Sequence, residues 1–305
     1  IYALISTFED CPAGIPRLVC GGDVTYDVPP TIKKLTTAAI RGAVEGPESR
    51  VLHRIILNIV GEPLWRYTDE LQLLCAFRDI VQVHQYLYEK GILHRDISPG
   101  NLFLWVGSAE AAGFLSDLDM ARVDESALGY QGTLQFMARQ LLEAMDKNKP
   151  IEHTVAHDLE SIGYVFGYSI LRRLLTIPRC PGELAKVFKQ IFGAMLVGAV
   201  AMQRRDRQPL SWIVEVGDDV TSNFIQQHLS APVVNVMKAL ELAIQAAHEA
   251  HRDNRLLRLY PQVRWRSGPI NAVCTHAFLL DVLNEAIEKL KQNPSSMKRF
   301  EPASL

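Results

Sequence analysis

Apolar and polar positions change their period twice along this chain. Early on, Leu18-Val19-Cys20 is a short apolar run closed by Gly21-Gly22-Asp23, with Val24-Thr25-Tyr26 as its expected hairpin mate. Pro29-Pro30 breaks any element there, and the polar, glycine-containing stretch 36–49 reads as loop. Residues 51–60 form a β-branched run ending at Gly61-Glu62-Pro63, the pattern of a buried strand running into a turn. The period then becomes helical. Leu73, Leu74, Phe77, Ile80, Val81, His84 and Leu87 fall at three-and-four spacing, one stripe of a helix that ends at Gly91. Runs at 102–106 and 113–115 read as a hairpin, and beyond residue 158 only helices are expected, over 158–175, 183–202, 233–251 and 277–291. The tail from Gln292 is polar, carries Pro294 and Pro302, and reads as loose. Strands first and helices afterwards make the fold class α+β.

Composition narrows this picture only a little. With 305 residues, 48% hydrophobic and 22% charged, the chain is globular and can build a substantial core. A net charge of −2 gives no electrostatic case for nucleic acid or an anionic membrane as partner. The longest apolar run, Ile191 to Met202, is too short to span a bilayer. Cys11, Cys20, Cys75, Cys180 and Cys274 are odd in number, scattered, and without metal-type spacing. They read as free thiols of a reducing compartment, so the expected location is intracellular, cytoplasmic or nuclear. No secretory signal is visible, and the chain begins with Ile1, so residues upstream are expected.

Candidate chemistry sits between the striped helix and the hairpin, in His94-Arg95-Asp96-Ile97-Ser98-Pro99-Gly100-Asn101. An Asp followed five positions later by an Asn suits phosphoryl transfer. The Asp can take or orient the proton of an incoming hydroxyl, and the Asn amide oxygen can reach a divalent metal on a triphosphate. Sixteen positions after Asn101, the hairpin delivers Asp117-Leu118-Asp119-Met120-Ala121, a carboxylate placed to complete a metal clamp. Gly132-Thr133 with Phe136-Met137-Ala138 and then His157-Asp158-Leu159-Glu160-Ser161 follow in order. In the last of these strings Asp158 opens an apolar helix.

These motifs together resemble the fungal-type protein kinase family, within the eukaryotic protein-kinase-like fold, over roughly residues 14–167. The resemblance implies a mostly helical C-lobe with a remnant of a β-rich N-lobe: a partial N-lobe and hinge at 1–63, the C-lobe at 64–291, and a flexible tail at 292–305. Within the C-lobe it places a catalytic loop at 94–101, a metal loop at 117–119 and an activation segment at 117–140. It implies Asp96 as base, Asn101 and Asp117 as Mg2+ ligands, and ATP as cofactor with an adenine hinge near Asn58 to Val60. His94 would pack under the metal loop, Arg95 would receive an activation-loop phosphate, and Asp158 would be structural. Ser126 and Thr133 are phosphorylation candidates, Thr133 reading more simply as a loop-structuring hydroxyl. Asp119, in place of the usual glycine, is an extra ligand or a turn residue. The implied partner is a protein substrate.

The departures are specific. Lys33 with Glu48 does not serve as the nucleotide lysine and its helical glutamate, because too few residues separate Glu48 from the hinge. Ile1 to Thr7 reads instead as the end of the glutamate-bearing helix, with the lysine and glycine loop upstream. Ser98 stands where many kinases carry a lysine, and Arg139-Gln140 replaces Pro-Glu, so a buried Glu–Arg pair is expected to be lost. His153 and His157 share a helix face but lack a third metal ligand, and Arg204, Arg205 and Arg207 read as a solvated helix end. Three classes of function remain in view: a serine/threonine protein kinase, a catalytically inactive scaffold, and a small-molecule kinase of the aminoglycoside or choline type. Strand 54–60 is expected to keep an exposed apolar face.

Overall fold

A computed structural model of the chain describes residues 1–47, 49–123, 131–206, 219–249 and 274–301. Two compact units divide it: Ile1–Cys11 with Pro16–Val60, and Pro12–Ile15 with Gly61–Leu305.

The first unit holds one helical turn, α1 (Tyr2–Ile5), and two antiparallel ribbons. In one, β1 (Leu18–Asp23) pairs with β4 (His53–Leu57); in the other, β2 (Thr25–Val28) pairs with β3 (Thr31–Lys34). The expected hairpin between β1 and β2 is therefore wrong. Val24 is a corner between the two ribbons, its N–H on the Leu52 carbonyl and its own carbonyl taking the Leu35 N–H. Gly21 and Gly22 lie inside β1 instead of closing it, and a Cβ at Gly21 would sit 3.0 Å from the Arg54 carbonyl. Nor is β4 buried. A two-stranded ribbon has no second layer to cover it, and Ile56 is 58% exposed. The stretch expected as loop contains α2 (Thr37–Arg41), with Thr36 accepting the Ala39 N–H and Gly42 ending the helix at φ 66°.

The second unit is helical around one small sheet. α3 (Glu70–Glu89) buries the whole stripe expected of it, from Leu73 to Leu87. Asp69 caps it by accepting the Gln72 N–H, and Gly91 lets the chain turn away at φ 75°. β5 (Glu62–Pro63), β6 (Leu102–Leu104) and β7 (Gly113–Leu115) form an antiparallel sheet, the expected hairpin being β6–β7. A Cβ at Gly113 would lie 2.5 Å from the Ala76 carbonyl, so the hairpin rests on α3 at a distance only glycine permits. The central helix is α5 (Val155–Leu174), buried over nearly its whole length.

The other helices are α4 (Arg139–Asp146), α6 (Gly182–Phe192), α7 (Val197–Asp206), α8 (Asp219–His228), α9 (Ala231–Glu249) and α10 (His276–Gln292); α6 and α9 pack on α5, α7 packs on α4, and α10 lies along α3. The single helix expected over 183–202 is two, bent by 115°. The break falls at Gly193, where a Cβ would come within 2.3 Å of the Lys189 carbonyl.

The tail is not loose as far as it is described. Glu70 donates its N–H to the Lys298 carbonyl and accepts the Lys298 N–H at Oε2, 2.9 Å away. Phe300 donates its N–H to Thr68 and meets the Tyr67 ring edge-to-face, with the Arg173 guanidinium 5.1 Å from its centre. The Pro302 end of the tail lies outside the described residues, as do Arg207, Ser126 and Glu48. All five cysteines are free thiols. Among the described residues no single helix is long and apolar enough to cross a membrane.

Candidate active site

The loop 94–101 is held from beneath by one carboxylate. Asp158, in the first turn of α5, is fully buried, and its Oδ2 accepts the backbone N–H groups of both His94 and Arg95 at 3.1 Å. The same oxygen faces His84 Nε2 at 3.1 Å, and Oδ1 faces His153 Nε2 at 2.8 Å. Burial alone would raise this carboxyl's pKa. The bonds from His153 and His84 outweigh it and hold the group well below the ordinary carboxylate range. His84 reaches on from α3 through Nδ1 to His276 Nε2, 2.8 Å away on α10. Burial first, and His84 second, push the His276 imidazole down to about 3, so it stays neutral. Arg95, pinned by this carboxylate, is buried and takes φ 70°, a conformation that costs a non-glycine residue about 1 kcal/mol or more.

His94 joins the two halves of the site. Its Nε2 lies 3.0 Å from the Ser116 carbonyl and its Nδ1 accepts the Asp96 N–H. That pattern assigns the proton to Nε2, and burial, which lowers the proton affinity of His94, keeps the ring neutral. Ser116 is also bonded by its N–H to the Asn101 carbonyl, one step beyond the Leu102–Leu115 pair. Asp117, next in line, therefore leaves the sheet beside Asn101. It is exposed and takes φ 61°.

At the centre is Asp96. Oδ1 accepts the Thr133 N–H at 2.8 Å and the Thr133 hydroxyl at 2.9 Å. The Asn101 amide nitrogen donates to the Asp96 carbonyl at 2.8 Å and lies 3.3 Å from Oδ2. This fixes the Asn101 side chain with its nitrogen toward Asp96, leaving Oδ1 as the end able to take a cation. Asn Oδ1 and an exposed carboxylate are hard oxygen donors of the kind Mg2+ takes alongside phosphate oxygens, so these residues fit the group. Gly132 passes so close, at φ 119°, that a Cβ would lie 3.0 Å from the Arg95 carbonyl and 3.7 Å from Asp96 Oδ1. Ser98 is buried and uses its carbonyl to accept the Asn101 N–H.

Beyond Thr133, the missing Glu–Arg pair has a replacement. His157 Nε2 donates to Gln140 Oε1 at 3.1 Å while Nδ1 accepts the Thr154 N–H at 3.0 Å. Both nitrogens of His157 and Nε2 of His153 are thus occupied, and among the described residues no metal-binding group forms. Glu160 accepts the Arg139 N–H at 2.8 Å and the Tyr164 hydroxyl at 2.6 Å, with His248 Nε2 at 3.2 Å.

Asn58 and Val60 belong to the first unit, where Asn58 closes on the Arg17 backbone at 2.6 and 3.0 Å and Val60 is exposed. Asp119 turns its N–H toward Asp117 Oδ1 at 3.4 Å, a turn geometry. Lys33 lies in β3, and Lys34 pairs instead with Asp23 at 2.6 Å. Arg204 is not a solvated helix end: its guanidinium is buried over the Tyr164 ring. The side chain of Arg205 and the whole of Arg207 lie outside the described residues. Sequence reasoning missed His84, Glu160, Arg204 and His276 as parts of the scaffold. The one available signal was a histidine on the apolar stripe of α3.

A profile of fungal protein kinases matches residues 17–170. Inhibitor of nuclear factor kappa-B kinase subunit epsilon of Mus musculus is 30% identical over 166 residues, 52% of this chain and 23% of that protein. The subunit beta of Mus musculus is 32% identical over 115 residues, 34% of this chain and 14% of its own length. The subunit alpha of Xenopus tropicalis is 38% identical over 89 residues, 28% of this chain and 11% of its own. The matched segments span less than a quarter of these curated relatives.

Proposed function

The chain belongs to the fungal protein kinase family, and from that premise we propose that it moves the γ-phosphate of Mg-ATP to a serine or threonine hydroxyl of a protein. The observation that carries this reading is Asp96 held between Thr133 and Asn101. With Oδ1 held by two bonds from Thr133, Oδ2 is the oxygen that receives the acceptor hydroxyl and takes its proton as the alkoxide attacks. Asn101 Oδ1 and the Asp117 carboxylate would hold the metal. Bound Mg-ATP would supply the transferable phosphoryl group and the positive charge that offsets its developing negative charge. His94 keeps the two loops in register, and Asp158 fixes the loop backbone. Gly132-Thr133 forms a docking strip for the acceptor peptide, which favours a protein over a small-molecule substrate. Five free thiols support a reducing, intracellular setting.

The test is transfer of labelled phosphate to a degenerate serine/threonine peptide library, beside thermal shift with Mg-ATP. Wild type should transfer phosphate, Asp96→Asn should lose about 100-fold or more, and Asp117→Ala should lose the magnesium-dependent shift. Magnesium-dependent stabilisation without transfer would replace this reading with a nucleotide-binding scaffold.

A further inference from the structure

The strip from Thr133 to Arg139 is fastened at three points, and the middle one is a buried arginine. Thr133 fixes one end on Asp96, and Arg139 fixes the other through its N–H on Glu160. Between them, Leu134–Phe136 make a single 3-10 turn whose Gln135 carbonyl accepts a hydrogen bond from Arg204 Nη2. Arg204 stands on α7 and is 3% exposed, an uncommon place for a guanidinium. Its guanidinium carbon sits over the Tyr164 ring, 4.3 Å from the ring centre, and it faces the Ile191 carbonyl through Nη1 at 3.5 Å. The Tyr164 hydroxyl donates to Oε1 of Glu160, the same oxygen that holds the Arg139 N–H. One turn earlier on α7, Val200 and Ala201 pack with Met137 and Leu142, and Leu134 leans on the same cluster. So one face of α7 braces the whole strip.

We propose that Arg204 is the positioning residue of the acceptor strip, setting the Thr133–Arg139 backbone and through Thr133 the orientation of the Asp96 carboxylate. It takes over, with a neutral Gln140–His157 bond, the work that a buried ion pair at Gln140 does not do here. The inference rests on the strip being the peptide-docking surface proposed above, but its geometry can be tested apart from any activity. Arg204 is buried among Tyr164, Phe192 and the Gln135 and Ile191 carbonyls. It acts on a backbone carbonyl that a lysine can reach with one bond but not with a planar, ring-stacked group.

Hydrogen exchange of the full chain tests it, comparing wild type with Arg204→Met, Arg204→Lys and Tyr164→Phe. In Arg204→Met the amides of Thr133, Phe136 and Arg139 should exchange about 10- to 100-fold faster, the scale of one lost charge-assisted hydrogen bond, while α5 amides keep their protection. Arg204→Lys should fall between, and Tyr164→Phe should free Arg139 more than Thr133. If Arg204→Met does not fold, the other two variants decide. Wild-type protection along the strip overturns the proposal, and so does an equal rise along α5, which would mean Arg204 only stabilises the core. Kinetics separate this from the function itself. Peptide kcat/KM should fall about tenfold or more in Arg204→Lys with the KM for ATP unchanged. A wild type that transfers no phosphate refutes the proposed function, whereas the exchange pattern still decides the role of Arg204.

Discussion

His157 offers a test of the scaffold that needs no substrate. Its ring is neutral by construction: Nδ1 accepts the Thr154 N–H, in a capping-box arrangement with histidine in the usual glutamate or glutamine place, and Nε2 donates to Gln140. A second proton would have to go on Nδ1, pointing it at an N–H. Burial above all, and then the charge of His153, push the imidazole from 6.5 down to about 4, against the opposing pull of Glu160 and Asp158. Between those two values the unfolded chain carries a proton on this ring and the native chain does not. Stability therefore falls as pH drops from 6.5 toward 4, by about 3 kcal/mol from this one group. His157→Gln keeps an acceptor for the Thr154 N–H and removes the titration. Urea midpoints measured from pH 7 to pH 4 should show the variant about 1 kcal/mol weaker at pH 7 for its lost Gln140 bond. The gap should then close and reverse by about 3 kcal/mol in total at pH 4. Parallel curves for the two proteins would refute the account of this ring.

Other perturbations have equally definite outcomes. Asp158→Asn offers an amide to four donors that need an anion, and should cost about 3–5 kcal/mol in urea unfolding; a loss under about 1 kcal/mol contradicts the hub. Gly113→Ala drives a methyl to 2.5 Å from the Ala76 carbonyl and should destabilise by about 1–3 kcal/mol, read as a lower melting temperature. Glu70→Ala strands the N–H groups of Ser230 and Lys298. Trypsin should then cut at Lys298 about tenfold faster, and an unchanged rate would show the tail is held elsewhere.

What could be read from the chain beforehand was what is local. α3, the β6–β7 hairpin and the loop between them carry their period and turn residues within about thirty positions. Asp158 was legible only through the resemblance that the ordered motifs carry. Long-range pairing was not. Nothing in the run 18–23 says that its partner is 53–57, and β-branched residues at 51–60 describe a strand without saying whether a second layer covers it. The break at Gly193 was hidden because the apolar pattern continues across it. Arg204 looked like a solvent-facing charge because its burial depends on the Tyr164 ring and a carbonyl 69 positions away. The polar tail looked unstructured for the same reason: its partners are Glu70 and Tyr67, reached only once the helices have closed.

That tail carries a consequence for how the second unit is built. Glu70 and Lys298 are 228 positions apart, and the buried carboxylate at the head of α3 lacks two of its acceptor contacts until Ser230 and Lys298 arrive. During synthesis, at about 5–20 residues per second, α3 and the loop 94–101 would leave the ribosome well ahead of the tail segment that pairs with Glu70. Contacts of such sequence separation form late and slowly. Helix α3 should gain full protection only after residue 298 has emerged, which ribosome-arrested chains of graded length would show as a step in amide protection at that point.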